Sequence, residues 1–191
     1  MTSPARTART MTADEFLTLH LPDGKAELVR GEIRMTPLAG GPHGRVAANL
    51  FRMLDGYVQK HGLGWVFGDR TGYELQRLPH TARGPDASFV RAERLPPGGL
   101  RPGFLTFAPD LAAEILSPNE RASELEEKLD DYRASGTPLI WVIDPRRRTV
   151  RILSDDSPER ALHEDEFLDG GTIIPGFSSP VAALFDGVAR D

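Results

Sequence analysis

At 191 residues, with 39% apolar and 27% charged side chains, the chain has the size and balance of a soluble domain able to bury a core. No stretch approaches the roughly 20 apolar residues of a membrane helix, and the absence of cysteine excludes disulfides and thiolate metal sites. A net charge of −5 argues against a protein that coats nucleic acid through bulk charge. It leaves room for an enzyme that meets phosphate through metal ions and a local basic patch. A cytoplasmic location is the default expectation.

Residues 1–11 are polar and basic with no apolar run behind them. They read as a disordered N-terminal arm rather than a signal peptide, and 12–191 read as a single domain without repeats. Thr12 and Glu15 have capping-box spacing ahead of Phe16 and Leu17. This predicts a short helix over about 12–20, ended by Leu21-Pro22-Asp23-Gly24. Loose alternation around Gly31 predicts a β-hairpin over 27–35. Val46, Leu50, Met53, Leu54, Tyr57 and Val58 recur at helical spacing, so a helix spans about 43–60 and Gly62 closes it. Strands are expected at about 64–68, 71–77 and 85–91. Pro96, Pro97, Gly98, Gly99, Pro102 and Gly103 make 92–108 a long loop. Residues 109–116 and 138–144 are near-continuously apolar, with a helical pattern over about 120–135 between them and Gly136 after it. That is a buried strand–helix–strand unit whose strands are parallel or nearly so. The tail holds strands near 148–153 and 171–174 and a short segment over 180–187. The fold class is α/β, three-layered, with a mixed central β-sheet flanked by the 43–60 and 120–135 helices.

Three residues carry the chemistry. Glu114 is the only charge in Leu111-Ala112-Ala113-Glu114-Ile115-Leu116. A buried carboxylate is costly unless it is paired or binds metal, so its partner is either a structural arginine or an ion. Lys128 shares a helical stripe with Leu125, Leu129 and Tyr132, while Glu124, Glu126, Glu127, Asp130 and Asp131 occupy the outer face. It therefore points inward, unless it snorkels to solvent or pairs with Glu124. Asp86 follows Pro85 at the start of a strand, as a site residue or an Asx-turn residue. Two acids on strands and one lysine are the minimal apparatus for phosphodiester hydrolysis. The carboxylates of Asp86 and Glu114 would hold Mg²⁺ or Mn²⁺, the ion would activate a water, and the lysine would orient that water or stabilise developing charge.

Glu27 is a candidate third acid, against a strand-edge position in solvent. His43 is a candidate phosphate contact, against a capping or packing role at the helix start. Asp110 reads as a local hydrogen-bonding residue, Asp144-Pro145 and Arg146-Arg147-Arg148 as turn residues, and Trp65 as core.

Several stretches recur together: Ala26-Glu27-Leu28-Val29-Arg30-Gly31-Glu32-Ile33, Pro42-His43 opening the long helix, Gly84-Pro85-Asp86-Ala87-Ser88-Phe89-Val90, and Pro109-Asp110-Leu111-Ala112-Ala113-Glu114-Ile115-Leu116-Ser117-Pro118. Glu127-Lys128-Leu129-Asp130-Asp131-Tyr132 and Trp141-Val142-Ile143-Asp144-Pro145 complete the set. With these, residues 12–144 resemble the Uma family of restriction-endonuclease-like proteins, within the PD-(D/E)XK nuclease superfamily. The resemblance implies a nuclease fold with Asp86 as the motif aspartate and Glu114 as the second acid. The superfamily lysine would stand two residues after Glu114, where this chain has Leu116; the resemblance moves that role to Lys128. The expected function is Mg²⁺- or Mn²⁺-dependent phosphodiester hydrolysis on DNA, with RNA or a branched nucleic acid as other substrates and a homodimer as a compatible assembly. The alternative is a catalytically inactive nuclease-fold binding or scaffold module.

Overall fold

The structure is a computed structural model and describes residues 10–21, 24–118 and 120–190. Most of the expected N-terminal arm, 1–9, lies outside the described residues. Helix α1 (Ala13–Leu17) carries the expected capping box: the Thr12 N–H donates to Glu15 Oε2 at 2.9 Å and the Glu15 N–H to Thr12 Oγ1 at 3.2 Å. Strands β1 (Lys25–Val29) and β2 (Glu32–Thr36) pair antiparallel. Their two-residue turn has Arg30 at φ 51 and Gly31 at φ 80, the twin positive angles that match a hairpin's twist. Helix α2 (Gly41–His61) ends at Gly62, whose φ of 64 gives the left-handed cap. Strands β3 (Gly64–Gly68), β4 (Tyr73–Arg77), β5 (His80–Arg83) and β6 (Ala87–Arg91) follow. Beyond the long loop come β7 (Leu111–Ile115), α3 (Ala122–Ala134) and β8 (Leu139–Asp144). The tail comprises β9 (Thr149–Ser154), β10 (Ser157–Leu162), β11 (Phe167–Gly170), β12 (Ile174–Pro180) and a closing 3-10 turn (Val181–Phe185).

The central sheet is mixed and six-stranded, in the order β10-β9-β8-β7-β6-β3. Only β7 and β8, joined through α3, run parallel within it, as expected of a crossover unit. A second, antiparallel sheet has the order β2-β1-β5-β4. The chain passes from β5 to β6 through Gly84-Pro85. Proline has no N–H for a ladder, so the sheet breaks there and two sheets meet beside Asp86.

Side-chain parity along the central strands sorts the layers. Odd-numbered Ala113, Ile115, Leu139, Trp141 and Ile143 pack with Val46, Leu50, Leu54 and Val58 of α2. Even-numbered Ala112, Ile140 and Val142 pack with Leu125, Leu129 and Tyr132 of α3 on the opposite face. The β11–β12 hairpin and the closing turn complete the α2 side through Leu168, Ile174, Phe177, Val181, Leu184 and Phe185.

Three readings need correction. Trp65 is not core: it is 45% exposed, because β3 is an edge strand and only its other face meets α2, through Val66. The strand expected at 171–174 is a turn between β11 and β12, with Gly171 at φ 52. The helix expected over 12–20 closes at Leu17, where Thr18 caps it. The sequence pattern predicts no strand at β5, β10 or β11, and β12 only at its first residue. Five of the six residues of β10 are exposed, so it carries no apolar alternation.

Candidate active site

The site forms where the two sheets meet α3. The β6–β7 register pairs Ala87 with Ala113; carried one residue further, it sets Asp86 beside Glu114. The Asp86 N–H donates to the Ala113 carbonyl at 3.0 Å, and Asp86 Oδ2 accepts the Ile115 N–H at 2.8 Å. Glu114 has even parity, so it faces α3 rather than α2. From α3, Lys128 Nζ reaches Glu114 Oε2 at 3.1 Å and the Tyr132 hydroxyl donates to Glu114 Oε1 at 2.7 Å. The α3 stripe that buries Leu125 and Leu129 thus delivers Lys128, whose side chain is only 12% exposed.

The second sheet supplies the rest. Glu27 is buried rather than at an open strand edge. Its Oε2 lies 3.0 Å from Arg83 and 3.9 Å from Lys128 Nζ, and its Oε1 accepts the Gly84 N–H at 2.9 Å. Arg83 also donates twice to Asp131 Oδ2, at 2.9 and 2.6 Å. His43, in the first turn of α2, sits with Nε2 3.2 Å from Asp86 Oδ2. It does not cap the helix, whose N-cap Gly40 has no side-chain cap hydrogen bond. Asp110 stands apart: it ion-pairs with Arg94 at 2.9 Å and accepts the Arg91 N–H.

Lys25, Arg83 and Tyr132 are members of the cluster that sequence reasoning did not assign to the site. Lys25 Nζ lies 2.8 Å from Asp86 Oδ1 and 3.1 Å from Asp69 Oδ1. A signal for it existed. In Lys25-Ala26-Glu27, Lys25 shares a strand face with Glu27, but the hairpin was expected to begin at 27, two residues late.

The charges respond to burial and to one another. Burial and the neighbouring Asp86 charge push the Glu114 carboxyl up to about 7 against the pull of Lys128. Burial would also raise Asp86, yet the His43 hydrogen bond and the Lys25 charge outweigh it and hold Asp86 well below the usual carboxylate range. Burial opposes the Lys128 charge as well, but Glu114 and Glu27 keep it firmly protonated. Two neighbouring acids with opposite shifts are a common signature of functional sites.

The donor set fits a hard divalent ion. Both acids present oxygen ligands. Each carboxylate has about four lone-pair positions; Asp86 uses three and Glu114 two on the contacts above. Among the described residues no group of three or more His, Asp or Glu side chains converges as a ready cage.

In overall structure the chain is similar to a crystal structure from Anabaena variabilis titled as a putative nuclease belonging to DUF820. The TM-score is 0.80 with 22% sequence identity, covering 92% of this chain and 98% of that one; the likeness shows a shared α/β fold. Among curated proteins, none matches this chain. The Uma2 family model, described as "Putative restriction endonuclease", matches residues 13–182, and the chain belongs to that family.

Proposed function

We propose that this protein is a divalent-metal-dependent endonuclease that hydrolyses phosphodiester bonds in DNA, in the cytoplasm. The observation that carries the reading is the placing of Asp86 beside Glu114 across β6 and β7, with the Lys128 ammonium 3.1 Å from Glu114. Asp86 and Glu114 would hold Mg²⁺ or Mn²⁺. When bound, such an ion would polarise a phosphoryl oxygen and lower the pKa of its water.

The protein's own groups do the remaining work. Lys128 keeps one oxygen of Glu114 fixed, and its remaining protons can orient an attacking water or meet developing phosphate charge. Tyr132 fixes the other oxygen. His43 acts on Asp86, and Glu27 on Lys128 and Arg83, so both are positioning residues. A cleft of about 440 Å³ is lined by Lys25, Arg70 and Arg83 together with Phe16, Leu17, Leu21 and Phe104, and Lys25 links it to Asp86. Lys25 and Arg70 would be the cations there to meet a phosphate backbone, since Arg83 is buried against Glu27 and Asp131.

A second reading, an inactive nuclease-fold scaffold, is favoured by Leu116, which stands where the superfamily lysine would. Plasmid nicking separates the two. Cleavage should require Mg²⁺ or Mn²⁺, stop with EDTA, and be lost in Asp86→Ala and Glu114→Ala. Lys128→Ala should still bind the ion while losing roughly 10²–10³ in rate, the scale of one electrostatic or proton-transfer group. Cleavage that survives EDTA or Glu114→Ala would rule the mechanism out, and no cleavage under any ion would leave the scaffold.

A further inference from the structure

Lys25 lines the cleft, but it also sits directly at the acid pair. It opens β1, on the sheet opposite Asp86, and its Nζ lies 2.8 Å from Asp86 Oδ1. Glu114, Asp86 and Asp69 attract it, in that order, strongly enough to overcome its burial. Asp86 Oδ2 is already engaged by the Ile115 N–H and by His43, so the oxygen left for a shared ion is Oδ1, the one Lys25 holds. By Coulomb's law an ammonium and a divalent ion about 4 Å apart repel by several times the thermal energy, even with the screening typical of protein sites. Both cannot hold Oδ1 at full strength.

The structure also supplies somewhere for the ammonium to go. Asp69 Oδ1 is 3.1 Å from the same Nζ. Asp69 is 49% exposed, whereas Asp86 is 6% exposed. Its carboxylate is steadied by the Arg70 N–H at 2.9 Å, in a turn just past β3. A small movement along the lysine stem exchanges a buried acid for a rim acid, and Lys25 still borders the cleft that also holds Arg70 and Arg83.

We propose that Lys25 is a resident counter-ion of the Asp86–Glu114 pair, that a divalent ion competes with it for Asp86, and that Asp69 takes the lysine over when the ion binds. The ammonium keeps the metal-free acids neutralised and, once handed over, adds a cation to the cleft wall where phosphate would lie. The inference rests on the metal-site reading above, and its test does not use cleavage.

Mn²⁺ is titrated calorimetrically into the full chain as wild type, Lys25→Met, Asp69→Asn and the double variant, with thermal melts in EDTA and in Mn²⁺. Lys25→Met should melt lower than wild type in EDTA yet bind Mn²⁺ more tightly, on the order of tenfold, the usual scale of coupling between two ligands. It should also gain more from Mn²⁺ in the melt. Asp69→Asn should bind Mn²⁺ several-fold more weakly, and this loss should vanish in the double variant, which has no lysine to hand over. Equal or weaker Mn²⁺ binding by Lys25→Met overturns the competition. An Asp69→Asn loss that persists without Lys25 overturns the hand-over. Should Lys25→Met not fold, wild-type affinity or better in Asp69→Asn overturns the proposal by itself. Binding by wild type with no change in any variant rejects only the role of Lys25; binding by none rejects the metal site and this inference together.

Discussion

Glu27 shows how much a single buried carboxylate can organise. Burial works against its charge, but Lys128, Arg83 and the Gly84 N–H together hold its pKa below the ordinary 4.5. A depressed carboxylate stabilises the fold above its unfolded pKa, and that contribution is lost as pH falls through the folded value. Glu27→Gln leaves Arg83 and Lys128 short of an anion in a buried setting, so it should cost about 3 kcal/mol at pH 7, the low end for breaking a buried pair. Urea unfolding at pH 7 and below pH 4 checks this: the gap between wild type and variant should shrink in acid, where wild-type Glu27 protonates too. A gap that stays constant would mean that Glu27 contributes through packing rather than charge. Tyr132 adds a quieter effect. Its hydroxyl donates to Glu114, so Tyr132→Phe removes one of the two side-chain hydrogen bonds to that acid among the described residues while leaving the ring in the α3 core.

At the scale of elements, the 92–108 loop divides into two parts. Its far half is pinned. Leu105 donates its N–H to the Gly72 carbonyl and accepts from Glu74, at 2.9 and 2.8 Å, and Phe104 stacks on Phe16 at 5.8 Å. Arg94 ties the loop's two ends through the Ala108 carbonyl and Asp110. The residues around Pro97–Leu100 make few such contacts. Shortening the loop within 96–102 should therefore barely change the melting temperature, since loop length costs little. Leu105→Ala should cost about 2–3 kcal/mol, because Leu105 is buried against Tyr73 and Val90. Plasmid nicking by the 96–102 deletion tests whether this part of the loop helps admit substrate: reduced nicking at an unchanged melting temperature is expected, full nicking would exclude that role, and equal destabilisation by both changes would refute the division.

At the scale of the molecule, the two helices stabilise opposite faces of one sheet and have unequal links to the site. Leu50 of α2 and Leu129 of α3 are both fully buried. Leu50→Ala and Leu129→Ala should each cost about 2–5 kcal/mol, and the double variant should be close to their sum because the sheet separates them. Their effects on the site should differ. Leu129 neighbours Lys128 in sequence and seats α3 over Glu114, so Leu129→Ala should weaken Mn²⁺ binding and nicking well beyond its effect on folding. Leu50→Ala should leave both near wild type wherever the chain remains folded. Equal functional loss in both would show that the site depends on global stability alone. No described helix is long and apolar enough to cross a membrane.

Local pattern determined much of this protein. The α2 and α3 stripes, the Thr12–Glu15 capping box, the Gly31 turn and the parallel β7–α3–β8 unit were legible because each depends on residues close in sequence. The inward Lys128 followed from helical phase, and the improbability of a lone charge in an apolar strand singled out Glu114. Strand β10 was not legible, because its pairing with β9 is made by backbone and leaves its side chains in water. The exposure of Trp65 depends on β3 lying at a sheet edge, which no local window of sequence reveals. The partners of the acids were decided by tertiary structure alone. Lys25 meets Asp86 across 61 residues, Glu27 meets Arg83 across 56, and His43 meets Asp86 across 43. The first is closed where the break at Gly84-Pro85 brings the two sheets together, the second by β1–β5 pairing within one sheet, and the third by the start of α2. Charge strength and pKa depend on how many such partners converge in a place shielded from water, and that is a property of the packed sheets rather than of any segment of the chain.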